Sequence, residues 1–258
     1  MIYICIPSHD EAPTVGVLLW RIRKVFQEYT REYEVLVYDD ASTDTTRDVL
    51  APYAKAMPLT VLGGAARVGY ARAVDALLRE ASKRTRYPRR DAVIVMQADF
   101  TEQPEGIPEL VKRFEGGADV VVAERIVPAD APEEVRKLHR LAGFLPRLWP
   151  IRAAVTVSGV QDPFGSLRLM RIAVVRDLLH AAGDLPVATA AAPWQANLEY
   201  LRAAVAQARR VESVALPLRY DVRPRATRRD PWPDAWALAR EGWAARGRAR
   251  SPATSTVA

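Results

Sequence analysis

The chain has 258 residues, 49% hydrophobic and 26% charged, an ordinary globular balance that excludes collagen-like, coiled-coil and disordered classes. Its single cysteine, Cys5, excludes an intrachain disulfide framework and, set in the apolar run Ile2–Ile6, reads as a small core hydrophobe. The net charge of +6 is uneven: from Arg202 onward twelve arginines face five acids, a surplus of seven that leaves −1 for the first 201 residues, and such a basic end points to phosphates, anionic lipid or nucleic acid. No apolar run approaches the roughly 20 residues that cross a bilayer. Met1 leads into the first apolar run with no basic segment before it, so the expectation is a cytosolic chain without a signal peptide, able to touch a membrane surface.

The first half alternates strand and helix signals. Ile2–Pro7 is an apolar run closed by Ser8-His9-Asp10-Glu11, and Val15, Leu18, Leu19, Ile22, Val25 and Phe26 then recur at helical spacing. Val35–Tyr38 is a second strand, cut by Asp39-Asp40-Ala41-Ser42, and a helix is predicted from about Asp44 with Ser42, Thr43 or Asp44 as cap. Leu59–Leu62 is a third strand ended by Gly63-Gly64; Ala71–Ala81 a helix; Ala92–Met96 a fourth strand followed by Gln97-Ala98-Asp99. Pro104 opens a helix through about Phe114, and Val120–Ala123 is a fifth strand ending at Glu124-Arg125. Beyond it, Glu133–Trp149 reads as helix, Val155–Val160 as a short apolar stretch and Asp162–Arg171 as a loop with embedded arginines. Ile172–His180 and Pro193–Ala208 read as helices, Val211–Leu218 as a strand, Arg219–Asp230 as a basic loop, Trp232–Trp243 as an amphipathic helix and Arg246–Ala258 as a disordered tail.

Alternating strands and helices, with strands apolar throughout, indicate a mostly parallel, Rossmann-like α/β sheet flanked by helices. Ligands of such sheets bind beyond the carboxyl ends of the strands, where His9-Asp10-Glu11, Asp39-Asp40, Gly63-Gly64, Gln97–Asp99 and Glu124-Arg125 all fall. Carboxylates gathered in one cleft repel unless a cation or donors stand between them, and a divalent ion on a diphosphate answers that need. Asp39, just past its strand, is placed to accept hydrogen bonds from a nucleobase or ribose, while the same segment can also serve as a helix cap.

Five segments carry a resemblance. Ile6-Pro7-Ser8-His9-Asp10-Glu11, Val37-Tyr38-Asp39-Asp40-Ala41-Ser42-Thr43-Asp44, Arg67-Val68-Gly69-Tyr70-Ala71, Met96-Gln97-Ala98-Asp99 through Pro104-Glu105, and Asp162-Pro163-Phe164-Gly165-Ser166-Leu167-Arg168 occur in this order. Together they resemble the inverting family 2 glycosyltransferases of the GT-A (nucleotide-diphospho-sugar transferase) fold, most of all the branch acting on dolichol or polyprenyl phosphate, over roughly residues 2–225. The resemblance implies a GDP- or UDP-linked sugar donor bound by Pro7, His9, Glu11, Asp39, Asp40, Gly69, Gln97 and Asp99. Asp99, with Gln97, would carry Mg²⁺ or Mn²⁺ on the diphosphate. Gln97 stands where the family has the first acid of Asp-x-Asp and brings no charge; His9 and Arg67 replace asparagines, and Gly165-Ser166 inverts the usual order.

The catalytic residues implied are Asp162, Arg125 and Arg168. Asp162 would be the base for a hydroxyl acceptor, or a positioning group for a phosphate acceptor already anionic at neutral pH. Arg168, Arg223, Arg225 and Arg228 would meet an acceptor phosphate, as arginine forks suit its oxygens. Val135–Arg152, with five cations, no acid and interleaved Leu, Phe and Trp, reads either as an interfacial helix on an anionic membrane or as a packed helix. The organisation implied is a nucleotide-sugar half over 1–125, an acceptor half of the same domain over 126–228, and a C-terminal helix and tail over 229–258. A hydroxyl acceptor and a non-catalytic nucleotide-sugar-binding protein are the alternatives; no nucleic-acid recognition motif accompanies the basic end.

Overall fold

The computed structural model describes residues 1–127, 156–190 and 192–217, with isolated positions 133, 136, 137 and 140 between. In chain order the elements are β1 (Ile2–Ser8), α1 (Ala12–Glu28), β2 (Tyr33–Asp39), α2 (Thr46–Ala56), β3 (Leu59–Gly63), α3 (Tyr70–Arg84) and β4 (Ala92–Val95). A 3-10 turn at Pro104–Gly106 leads into α4 (Ile107–Glu115), then β5 (Val120–Ile126), β6 (Arg168–Arg171), α5 (Ile172–Ala182), α6 (Pro193–Gln207) and β7 (Val211–Pro217). The strands form one sheet of order β3-β2-β1-β4-β6-β5-β7. Only β6 runs antiparallel to its neighbours β4 and β5.

Every residue of β1 is buried, as a central parallel strand covered on both faces requires. Alternate residues serve opposite layers. Ile2, Ile4 and Ile6 pack with Val35, Val37 and Ile94 against α1, α2 and α4. Tyr3 and Cys5 pack with Leu36, Val93 and Val95 against α3, α5 and α6. The result is three layers, helices on sheet on helices. Cys5 is fully buried and free, and burial pushes its thiol up, so it is the inert core residue expected.

The sheet corrects one sequence expectation. Asp162–Arg171 is not loop throughout: its last four residues form β6, and the antiparallel direction sets Arg168 opposite Val95 and Arg171 opposite Ala92. Arg171 therefore lies at the amino end of the parallel strands, where it pairs with Asp119 at 2.8 Å and covers the Phe114 ring. The α4 region also begins later than expected, because Pro104 opens a 3-10 turn first.

The strand order reverses between β1 and β4, the point where open α/β sheets form a crevice. Among the described residues three non-glycine residues have left-handed backbone: Asp10 after β1 (φ 53°), Ala41 after β2 (φ 53°) and Phe100 after β4 (φ 59°). All three lie in loops at the carboxyl edge around that crevice, the kind of local strain that clusters at functional sites. Among the described residues no helix is long and apolar enough to cross a membrane.

Candidate active site

The loops after β1 and β2 are laced together by carboxylates. Asp10 accepts hydrogen bonds from the Thr43 amide at 2.7 Å and the Thr43 hydroxyl at 3.3 Å, and the Thr43 amide holds its carboxyl below the usual range. Asp44 accepts from the Thr46 amide at 2.9 Å and the Ala12 amide at 3.1 Å, tying the first turn of α2 to that of α1. None of the three expected capping residues is the N-cap of α2, which is Thr45 and makes no side-chain cap bond; Asp44, one residue before it, meets the Thr46 amide instead. His9 donates from Nδ1 to the Asp40 carbonyl at 2.8 Å, which fixes the proton on that nitrogen. Glu11 is buried, receives the Thr14 hydroxyl at 3.0 Å and donates its own amide to Thr46 Oγ1 at 3.0 Å. Pro7 is buried on β1 beside Tyr38.

Asp39 and Asp40 have different surroundings. Asp39 is fully buried; one oxygen accepts the Ser42 amide at 3.2 Å and the other receives Arg47 Nε. Arg47 also donates to the Gly64 carbonyl at 3.2 Å, so it spans the ends of β2 and β3. Asp40 accepts the Val68 amide at 2.6 Å and the Gly69 amide at 3.0 Å. Its carboxylate therefore folds the loop before α3, with Arg67 at 3.7 Å beside it. Gly69 has φ +86° at the start of α3.

Gly63 is a strict requirement at this edge. Its φ is +137°, and a Cβ there would stand 2.2 Å from the Asp39 carbonyl oxygen. Gly63→Ala is therefore expected to lower stability by about 2–4 kcal/mol. Urea denaturation measures that loss; wild-type stability would mean that the β2–β3 ends move apart freely.

Asp99 follows β4. Its Oδ1 accepts the Thr101 amide at 3.0 Å and the Thr101 hydroxyl at 2.6 Å, closing a turn around the left-handed Phe100. Gln97 is half-buried, and its backbone N–H donates to Glu102 Oε2 at 3.1 Å. Among the described residues no group of three His, Cys, Asp or Glu could hold a metal by itself. The donors that the sequence assigns here, Asp99 and Gln97, are one carboxylate and one amide oxygen. That fits a divalent ion shared with a substrate diphosphate, since Mg²⁺ commonly takes one or two carboxylates plus phosphate oxygens.

Across β6, Arg125 at the end of β5 grips Asp162 with both arms of its fork. Nε bonds Oδ2 and Nη2 bonds Oδ1 at 2.8 Å, both side chains being 13% exposed. Asp162 also accepts the Phe164 amide at 3.3 Å. Arg168 is placed unlike the expectation. It lies inside the fold, 2% exposed, its guanidinium bonded to the carbonyls of Ser166, Gly165 and Asn197 and to Asn197 Oδ1. Tyr70 donates to the same Asn197 oxygen at 2.8 Å. Arg168 thus anchors the Phe164–Leu167 backbone and does not present itself to an acceptor. Arg223, Arg225 and Arg228, the Val135–Arg152 stretch apart from three positions, and the tail lie outside the described residues. Glu133, Arg136, Lys137 and Arg140 are helical and exposed.

Two residues that the sequence reading passed over take part. Arg47 orients Asp39, and its only signal was a cation in the first turn of the helix after an acidic pair. Glu102 is buried at 4% exposure, with its carboxyl pushed up by desolvation and pulled back by the Ser166 hydroxyl and two amides. Its signal was an acid three residues after Asp99 in the short polar segment that Pro104 closes.

This fold, with acidic loops at the carboxyl edge and, among the described residues, one inserted antiparallel strand, is of the GT-A type. The comparisons agree. Glucosyl-3-phosphoglycerate synthase from Mycobacterium tuberculosis, in complex with Mn²⁺, UDP and glucosyl-3-phosphoglycerate, superposes with a TM-score of 0.58 at 18% identity, covering 95% of this chain and 78% of that one. S. aureus TarS 1–349 in complex with UDP gives 0.55 at 12% identity, covering 93% and 64%. Residues 3–179 match glycosyl transferase family 2, and the chain belongs to that family. Dolichol-phosphate mannosyltransferase of Pyrococcus furiosus is 29% identical over 192 residues, 66% of this chain and 51% of that protein. Bactoprenol glucosyl transferase of Shigella phage SfV is 26% identical over 178 residues, 69% and 54%. The chain thus spans about half the length of these curated relatives.

Proposed function

We propose that this chain transfers a hexose from a nucleoside diphosphate sugar to a polyprenyl phosphate, with inversion, at the inner face of a membrane. One observation carries the choice of acceptor. Both oxygens of Asp162 are engaged by Arg125, so the carboxylate at the motif position of a base is held as a positioning group. A hydroxyl acceptor needs a base within reach; a phosphate monoester is already anionic at neutral pH. The relatives named for dolichol phosphate and bactoprenol support the same reading.

In this mechanism Asp39 receives the nucleoside, with Arg47 and Ser42 fixing its carboxylate. Asp40 and His9 shape the loops that border it. Asp99 and Gln97 would hold Mg²⁺ or Mn²⁺, which supplies charge neutralisation to the departing diphosphate. Arg125, kept in register by Asp162, draws the acceptor phosphate toward the anomeric carbon. An acceptor oxygen forms its bond to that carbon as the bond to the diphosphate breaks, and the electron pair leaves with the nucleotide. By the sequence resemblance Arg223, Arg225 and Arg228 would add cations for the acceptor phosphate, and the exposed Arg136, Lys137 and Arg140 suit an anionic leaflet.

Thermal unfolding with UDP- and GDP-sugars, with and without Mn²⁺, tests the donor half. One nucleotide should raise Tm, because at 100 times Kd a ligand adds about 2.7 kcal/mol, and Mn²⁺ should enlarge the rise. No shift with any nucleotide sugar would defeat the proposal.

A further inference from the structure

Glu102 touches two loops at once. Its Oε2 accepts the backbone N–H of Gln97 at 3.1 Å, closing the loop that carries Asp99. Its Oε1 accepts the Leu167 amide at 2.9 Å and the Ser166 hydroxyl, in the segment that follows Asp162. The two attachment points lie 70 residues apart in sequence, and the loops leave different strand ends. The carboxyl is 4% exposed, and the buried Arg168, 2% exposed, is near enough to interact electrostatically with it. Burying a carboxylate is costly unless its lone pairs are satisfied. Three donors and a neighbouring cation satisfy this one.

The remaining contacts make each loop stiff. On one side Thr101 closes on Asp99, and the Gln103 side chain donates to the Phe100 carbonyl at 3.2 Å. On the other side Arg168 and Asn197 fix the carbonyls of Phe164, Gly165 and Ser166. Two rigid loops joined by one carboxylate cannot shift independently. We propose that Glu102 is a positioning residue that sets the alignment of the donor-side group Asp99 with the acceptor-side pair Asp162–Arg125. It has no contact with substrate in this scheme. The inference rests on the sugar-transfer reading above and adds to it where the alignment comes from. Misplacing a reacting group by about 1 Å can cost on the order of 100-fold in rate.

A loosened clamp should favour the small, unpositioned acceptor, water. In that side reaction a water oxygen bonds to the anomeric carbon as the bond to the diphosphate breaks, the electron pair leaves with the nucleotide and the proton goes to solvent. The variants are Glu102→Gln, which keeps the volume but turns an NH₂ toward one of the donors, and Ser166→Ala, which removes one hydrogen bond. The full chain is assayed with UDP-glucose and GDP-mannose as donors and undecaprenyl phosphate in detergent as acceptor. The ratio of hydrolysis to transfer should rise about tenfold in Glu102→Gln and about threefold in Ser166→Ala, with donor KM within threefold of wild type. A defect of folding alone would lower both reactions together and leave the ratio unchanged.

Amide exchange followed by mass spectrometry gives a second readout that needs no turnover. In Ser166→Ala, exchange over residues 93–103 should speed up about fivefold, because loosening one arm of Glu102 frees the other. If Glu102→Gln does not fold, Ser166→Ala decides alone. An unchanged ratio and unchanged exchange in Ser166→Ala overturn the clamp. A wild-type chain that transfers sugar from neither donor defeats the functional reading instead, and the exchange experiment still rules on the clamp.

Discussion

Asp99→Asn should reduce sugar transfer by at least about 100-fold while the protein stays folded. In the proposed reaction Asp99, just past β4, meets the diphosphate through a divalent ion, and removing a single group that stabilises transition-state charge typically costs 10²–10³ in rate. The fold should survive because an asparagine oxygen can still accept the Thr101 amide and hydroxyl that Asp99 holds at 3.0 and 2.6 Å. Steady-state transfer assays, with circular dichroism as the control for folding, measure both. EDTA should reproduce the loss in the wild type. Gln97→Asp should tighten metal binding, because it adds a second charge to a site that has one carboxylate and an amide. If Asp99→Asn and EDTA both leave transfer intact, neither the metal nor Asp99 belongs to the reaction.

The parts of this site that could be read from the sequence are those governed by local rules. An apolar run followed by a polar cluster marks a parallel strand and its carboxyl end, which is where Asp39, Asp40 and Asp99 lie in the fold. What escaped was decided by partners distant in the chain. The segment Arg168-Leu169-Met170-Arg171 looks like loop because two arginines bracket two apolar residues. It is a strand because Ala92–Val95 and Val120–Val122 offer it two antiparallel edges. Arg168 looks like a phosphate ligand because it follows the Asp162 motif and its fork suits phosphate oxygens. It is buried because Asn197, on a helix 29 residues later, and the carbonyls of Gly165 and Ser166 accept its protons. Asp40 resembles a ligand contact by motif, whereas its oxygens are occupied by Val68 and Gly69, 28 and 29 residues away. Polar groups in the interior are read correctly only when their partners are known, and short-range pattern does not carry that information.

The Arg125–Asp162 pair separates the two acceptor classes. Arg125→Ala should cut kcat/KM for a polyprenyl phosphate by about 1,000-fold. It removes a fork suited to phosphate oxygens and leaves Asp162, 13% exposed, without the cation that bonds both its oxygens. Breaking a buried pair by deleting one partner costs about 3–5 kcal/mol, and at this exposure the lower end applies, so a fall in urea midpoint should accompany the kinetic loss. Asp162→Asn is the discriminating variant. Its remaining oxygen keeps one arm of the fork and can still accept the Phe164 amide, which Asp162 receives at 3.3 Å. A phosphate acceptor brings its own negative charge, so turnover should fall less than about tenfold. A hydroxyl acceptor would lose general-base catalysis, worth about 10²–10⁴. Transfer measured on undecaprenyl phosphate and on a panel of hydroxyl acceptors resolves the two. A 1,000-fold loss in Asp162→Asn on every acceptor would make Asp162 the base, and the phosphate acceptor would then have to be given up in favour of a hydroxyl.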